Sequence, residues 1–78
     1  MTPAEELRAA ADQLRGARFT GAITATPIVA ALIRAREPLA DWLTVSAVIV
    51  SGYTDPEAAE EAGHYPLAVA RQILGTTP

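Results

Sequence analysis

From Pro38 to Ser51 the apolar positions do not keep to one side. With successive residues placed about 100° apart, as on a helix, Glu37, Asp41, Thr44 and Ser51 share one narrow stripe with Val48. Leu39, Ala40, Trp42, Leu43, Val45, Ala47, Ile49 and Val50 take almost all of the remaining circumference. A surface helix needs one apolar face, and one that is apolar nearly all round belongs in a core or an interface. It is too short for a membrane span, which needs roughly 20 apolar residues. Other elements must therefore cover it on most sides. The β-branched run from Thr44 to Val50 would also suit a strand. Pro38 in a first turn, the good helix formers Leu39–Leu43 and the lack of a period of two favour a helix. Ser46, opposite the polar stripe, is expected to bond back to the Trp42 carbonyl.

The flanking segments keep cleaner helical patterns. Thr2-Pro-Ala-Glu5 has the form of a capping box, and Leu7, Ala10, Ala11 and Leu14 form the single face of a helix that stops at Gly16. That face is narrow and half alanine, so this helix is expected to be the most weakly held. Between Gly16 and Thr26 the only large apolar residues are Phe19 and Ile23, and a loop pinned by these two is expected over a pair of strands. Thr26-Pro27 opens a second helix with Ile28, Ala31, Leu32 and Ala35 on one face, widened by Val29 and Ile33. Glu37-Pro38 follows without loop residues. One helix kinked at Pro38, or two helices with a very tight break, is expected. Gly52 is placed to end the central helix in the left-handed conformation. Thr54 or Asp55 caps a short helix, with Thr54-Asp-Pro-Glu57 reading as a second capping box, and Gly63 closes it. Pro66 opens a last helix in which Leu67, Ala70 and Leu74 share a face, and Gly75 stops it. Five of the six prolines stand at or near helix starts. The pattern predicts a single all-α domain over 1–78, a bundle of three to five helices around 38–51.

Composition sharpens this picture in two places. Half of the 78 residues are hydrophobic, yet a core this small rarely supplies more than about 3–5 kcal/mol. There is no cysteine to add a disulfide or a thiolate metal site, which leaves association with another chain as the common remedy. Net charge is −3, and all six basic residues are arginines scattered along the chain. Nucleic-acid binders present a basic patch or stripe, so nucleic acid is not an expected partner. The N-terminus lacks the basic and apolar regions of a signal peptide, which points to the cytoplasm.

Three segments, Thr2–Arg15 (TPAEELRAAADQLR), Arg36–Leu43 (REPLADWL) and His64–Gly75 (HYPLAVARQILG), resemble a group of small Streptomyces-type proteins of actinobacteria and their phages. The likeness covers both ends and the middle. The group has no established activity, so the resemblance implies none. Some similar members carry Cys or His before the last helix; only His64 stands there in this chain, and any metal role would not carry over.

Candidate chemistry is sparse. Glu61-Ala-Gly-His64 has the Glu-x-x-His spacing of carboxylate-bridged metal bundles, but no second copy exists and Gly63 breaks the helix between the two. Arg34 and Asp41, seven apart, suit an ordinary surface ion pair. Ser46 or Ser51 with His64 lacks any nucleophile-elbow pattern. No catalytic, cofactor or metal residue is assigned. The expected function is non-enzymatic binding of protein, either itself as a homodimer or another chain, through Trp42, Val45, Ile49, Val50, Phe19 and Ile33. A dimeric DNA-associated regulator and a small metal- or ligand-binding module are the alternatives.

Overall fold

A computed structural model describes residues 1–16 and 26–75. Among them run five helices and no strand: α1 Pro3–Gly16, α2 Pro27–Arg34, α3 Arg36–Ser51, α4 Pro56–Ala62 and α5 His64–Leu74. The protein is all-α, and the β-branched run lies inside α3. The segment expected to form a loop pinned by Phe19 and Ile23 falls at 17–25, outside the described residues.

Each of these helices has a proline within its first three residues. Pro3, Pro27 and Pro56 stand first, where the missing N–H has no intrahelical partner to lose. Pro38 and Pro66 stand third, and they also end the helix before. A proline ring collides with the carbonyl four residues earlier. Those carbonyls belong to Arg34 and Ala62, the last residues of α2 and α4. A single residue, Ala35 or Gly63, separates the helices in each case. The break expected at Pro38 therefore falls at Ala35, and the last helix begins at His64 rather than Pro66. At Ala35 (φ −80°, ψ −5°) the bonding barely lapses. Its N–H donates to the Ala31 carbonyl at 3.0 Å, and the Leu39 N–H donates to the Ala35 carbonyl at 2.9 Å.

The first capping box forms as written in the sequence. The Thr2 N–H donates to Glu5 Oε1 at 2.8 Å, and the Glu5 N–H donates to Thr2 Oγ1 at 3.1 Å. The backbone bond from Thr2, then the bond to its hydroxyl, hold the Glu5 carboxyl below its ordinary value of 4.5. A depressed folded-state pKa stabilises the fold above the ordinary value, and the contribution is lost as pH falls through the folded one. Thr2→Ala is expected to cost about 1 kcal/mol, as N-cap losses usually do. Urea denaturation followed by circular dichroism at pH 7 checks it, and a midpoint unchanged from wild type would count against the box. The second box does not form. Asp55, not Thr54, caps α4, its Oδ1 accepting from the Glu57 N–H at 3.4 Å. Gly52 is likewise right-handed (φ −76°, ψ −11°), because α3 ends by tightening. The Gly52 and Tyr53 amides donate to Ile49 and Val50 carbonyls at 3.2 and 3.1 Å. Gly75 is the stop that the sequence predicts, and it is this glycine, at φ 70°, that takes the left-handed conformation.

The core is built mainly from alanine. Ala4, Leu7, Ala10 and Ala11 of α1 meet Ala40, Leu43, Ala47 and Val50 of α3, with Ala59, Leu67 and Ala70 from α4 and α5. Among the described residues, only Leu7, Leu43 and Leu67 are large side chains with no exposure. Small residues let helix backbones approach closely, so the alanine face that suggested a loosely held α1 does the reverse. α1 is packed along both α3 and α5. Arg71 ties three helices together. Its Nη2 donates to Glu60 of α4 at 2.6 Å and its Nε to Glu6 of α1 at 2.8 Å. These bonds, Glu60 first, hold its guanidinium protonated beyond its usual range.

Candidate interaction surface

Among the described residues, α3 is covered along one flank only. The opposite flank carries Trp42 (42% exposed), Val45, Val48 and Ile49 (58% exposed), all open to solvent. Trp42, Val45 and Ile49 recur at three and four residues and so line up one above the other. The expectation that this helix would be wrapped on most sides is overturned within the described chain, because the helices available to cover it are used on one side. α2 is barer still. It has no buried residue, and among the described helices it approaches α3 alone. Ile28 is 72% and Leu32 67% exposed, and Val29 is also open. The molecule thus hides alanines and shows Trp, Ile, Leu and Val. Hydrophobic gain scales with area removed from water, so this distribution wastes the larger side chains unless something covers them. Seven large apolar side chains thus lie open on two consecutive helices, whereas scattered single ones are the ordinary case on a monomer's surface.

Of the six residues expected at an interface, Trp42, Val45 and Ile49 lie on this surface. Ile33 is half-buried, and Phe19 lies outside the described residues. Val50 is a correction. At 3% exposure it belongs to the core, where its Cγ2 lies against Gly63. A 100° step separates it from Ile49, which is enough to move it from the outer to the inner flank. Ile28 and Leu32 were the residues missed. Their helical spacing is plain in the sequence, but a stripe of this kind normally marks an inward face.

The other candidate residues are engaged elsewhere. Asp41 pairs with Arg15 of α1 at 2.9 Å rather than with Arg34. Arg36 Nη1 donates to the Leu14 carbonyl at 3.1 Å. With Arg71, three arginines thus staple helices of their own chain. Ser46, buried, donates to the Trp42 carbonyl at 2.8 Å, as expected. Ser51 donates to the Val48 carbonyl at 2.7 Å. His64 is exposed and stands edge-on to Tyr65, ring centroids 5.1 Å apart. Pro56, Glu57, Glu60, Glu61 and His64 line an open dish beside it. Among the described residues no three His, Asp or Glu side chains gather closely enough to hold a metal ion, and no helix is long and apolar enough to cross a membrane. No known protein family matches the sequence, and no curated protein or solved structure is similar to it.

Proposed function

We propose that the protein is a non-enzymatic helical binding protein that acts in the cytoplasm by docking another protein chain on the outer flank of α2 and α3. The observation that carries this reading is the inverted distribution of apolar side chains: alanines inside, with Trp42, Val45, Ile49, Ile28 and Leu32 outside. α2 has no buried position although its residues are mostly apolar, and an apolar helix face belongs against a core or an interface. Its apolar composition calls for a surface to lie on. The arginines support the same reading over DNA binding, since Arg15, Arg36 and Arg71 are bonded within the chain rather than converging on one face.

Sedimentation velocity across a concentration series tests it, with Trp42→Asp as the comparison. The wild type is expected to associate, and the variant to sediment as a folded monomer with an unchanged circular dichroism spectrum. A wild type that stays monomeric throughout, with the amides of α2 exchanging as fast as an unfolded peptide's in the presence of host proteins, would end the proposal.

A further inference from the structure

Six apolar residues on the outer flank, Ile28, Leu32, Ala35, Trp42, Val45 and Ile49, are spaced symmetrically about a midpoint between Pro38 and Leu39. Ile28, Leu32, Ala35, Pro38, Trp42, Val45 and Ile49 are all exposed, and they succeed one another in steps of three and four. Residue numbers that sum to about 77 pair Ile28 with Ile49, Leu32 with Val45 and Ala35 with Trp42. We infer that the chain docked on this flank is a second copy of the protein, laid antiparallel about a two-fold axis near Pro38, so that each α2 covers the outer face of its partner's α3. This rests on the reading of the flank as a docking face and adds who occupies it and in what register.

Three observations select this occupant. First, a two-fold interface must be complementary to itself, residue i meeting j wherever j meets i. Apolar positions whose spacing is the same from both ends satisfy that when two copies run in opposite directions. The bulky Trp42 then lies over the small Ala35, and the aliphatic side chains meet each other. Second, the lengths fit. In this register α2, Pro27–Arg34, lies over 43–50, within the length of the partner's α3. α2 and α3 together need about 38 Å if laid nearly end to end, which the 45 Å long dimension of the molecule accommodates. Third, the flanking charges agree. Arg34 and Asp41 lie on the same side of the stripe, one on each side of its midpoint. In antiparallel pairs, flanking positions on the same side meet. Each Arg34 guanidinium then faces the Asp41 carboxylate of the other copy, whose Oδ1 already accepts from Arg15 of its own chain at 2.9 Å while the side chain stays 72% exposed.

Disulfide trapping tests the pairing against a clean background, since the chain has no cysteine. Ile28→Cys and Ile49→Cys proteins are oxidised separately and as an equal mixture, alongside sedimentation of each. Both positions are exposed, so both variants keep the fold. Neither protein is expected to cross-link alone, and the mixture is expected to yield covalent dimers in roughly half of its pairs, as random exchange between two chains in an antiparallel dimer requires. Cross-linking of each protein with itself would mean parallel copies and would overturn the register. Dimers in sedimentation with no cross-link in any sample would also overturn it, while leaving association intact. A wild type that is monomeric alone yet binds a different protein through Trp42 would remove the second copy as occupant and leave the docking face in place.

Discussion

Leu43→Ala is expected to unfold most of the protein at room temperature. Leu43 has no exposed surface and sits at the meeting of α1 and α3. Among the described residues, only two other large side chains, Leu7 and Leu67, are as deeply placed. Removing a buried leucine side chain costs about 2–5 kcal/mol, the upper end applying where neighbours cannot collapse into the space. Here the neighbours are mostly alanines, which have no side-chain freedom with which to fill a void. A single core of this size provides about 3–5 kcal/mol in total, so the loss is comparable to everything available. Urea titration followed by circular dichroism, at one protein concentration so that association is held constant, measures it. A change below about 1 kcal/mol, small for a core substitution, would mean that Leu43 is not packed as described.

Gly63→Ala is expected to cost about 1–3 kcal/mol, the usual range for overpacking. The backbone there is not the obstacle, since φ −100° is open to any residue. Space is the obstacle. A Cβ at Gly63 meets Val50 Cγ2 at 2.8 Å, the Ala59 carbonyl oxygen at 3.3 Å and Leu67 Cδ1 at 3.3 Å. Val50 is β-branched and held to one rotamer on a helix, and the carbonyl belongs to α4 itself. Neither yields without moving a helix. Gly52→Ala provides the control, because a Cβ there meets only the Ile49 carbonyl oxygen at 3.4 Å and the conformation is already right-handed. That substitution is expected to be neutral or to stabilise by about 0.4–1 kcal/mol through the unfolded chain. Equal effects at the two glycines, read from thermal melting, would show that crowding at the α4–α5 corner is not what Gly63 relieves.

The contrast between Ile49 and Val50 shows where sequence reading stops. Both belong to an apolar run whose helical character follows from Pro38, Leu39–Leu43 and the missing period of two. Which of the two faces inward is not a property of the run. When nearly every position around a helix is apolar, the pattern contains no direction, and the neighbour that arrives decides it. α1 arrives with Ala4, Leu7, Ala10 and Ala11, and its small residues select the flank with Ala40, Leu43, Ala47 and Val50, where backbones can come close. Trp42 cannot enter such a contact and is left outside. For the same reason α1, which buries little area per residue, proves to be packed along two other helices.

Local chemistry alone specified the helices and most of their ends. The Thr2–Glu5 box, the Ser46 back-bond, the Gly75 stop and the proline at each helix start depend on contacts within four residues, so adjacent residues contain the whole cause. Proline acts slightly further, through the carbonyl four positions back, and so the breaks fell at Ala35 and Gly63 rather than at Pro38 and Pro66. Only the tertiary structure decided which apolar flank is hidden, that Arg71 joins Glu6 and Glu60 across a separation of 65 and 11 residues, and that Asp41 takes Arg15 instead of Arg34. Those choices depend on which surfaces approach most closely, and close approach is a property of the assembled helices rather than of any stretch of chain.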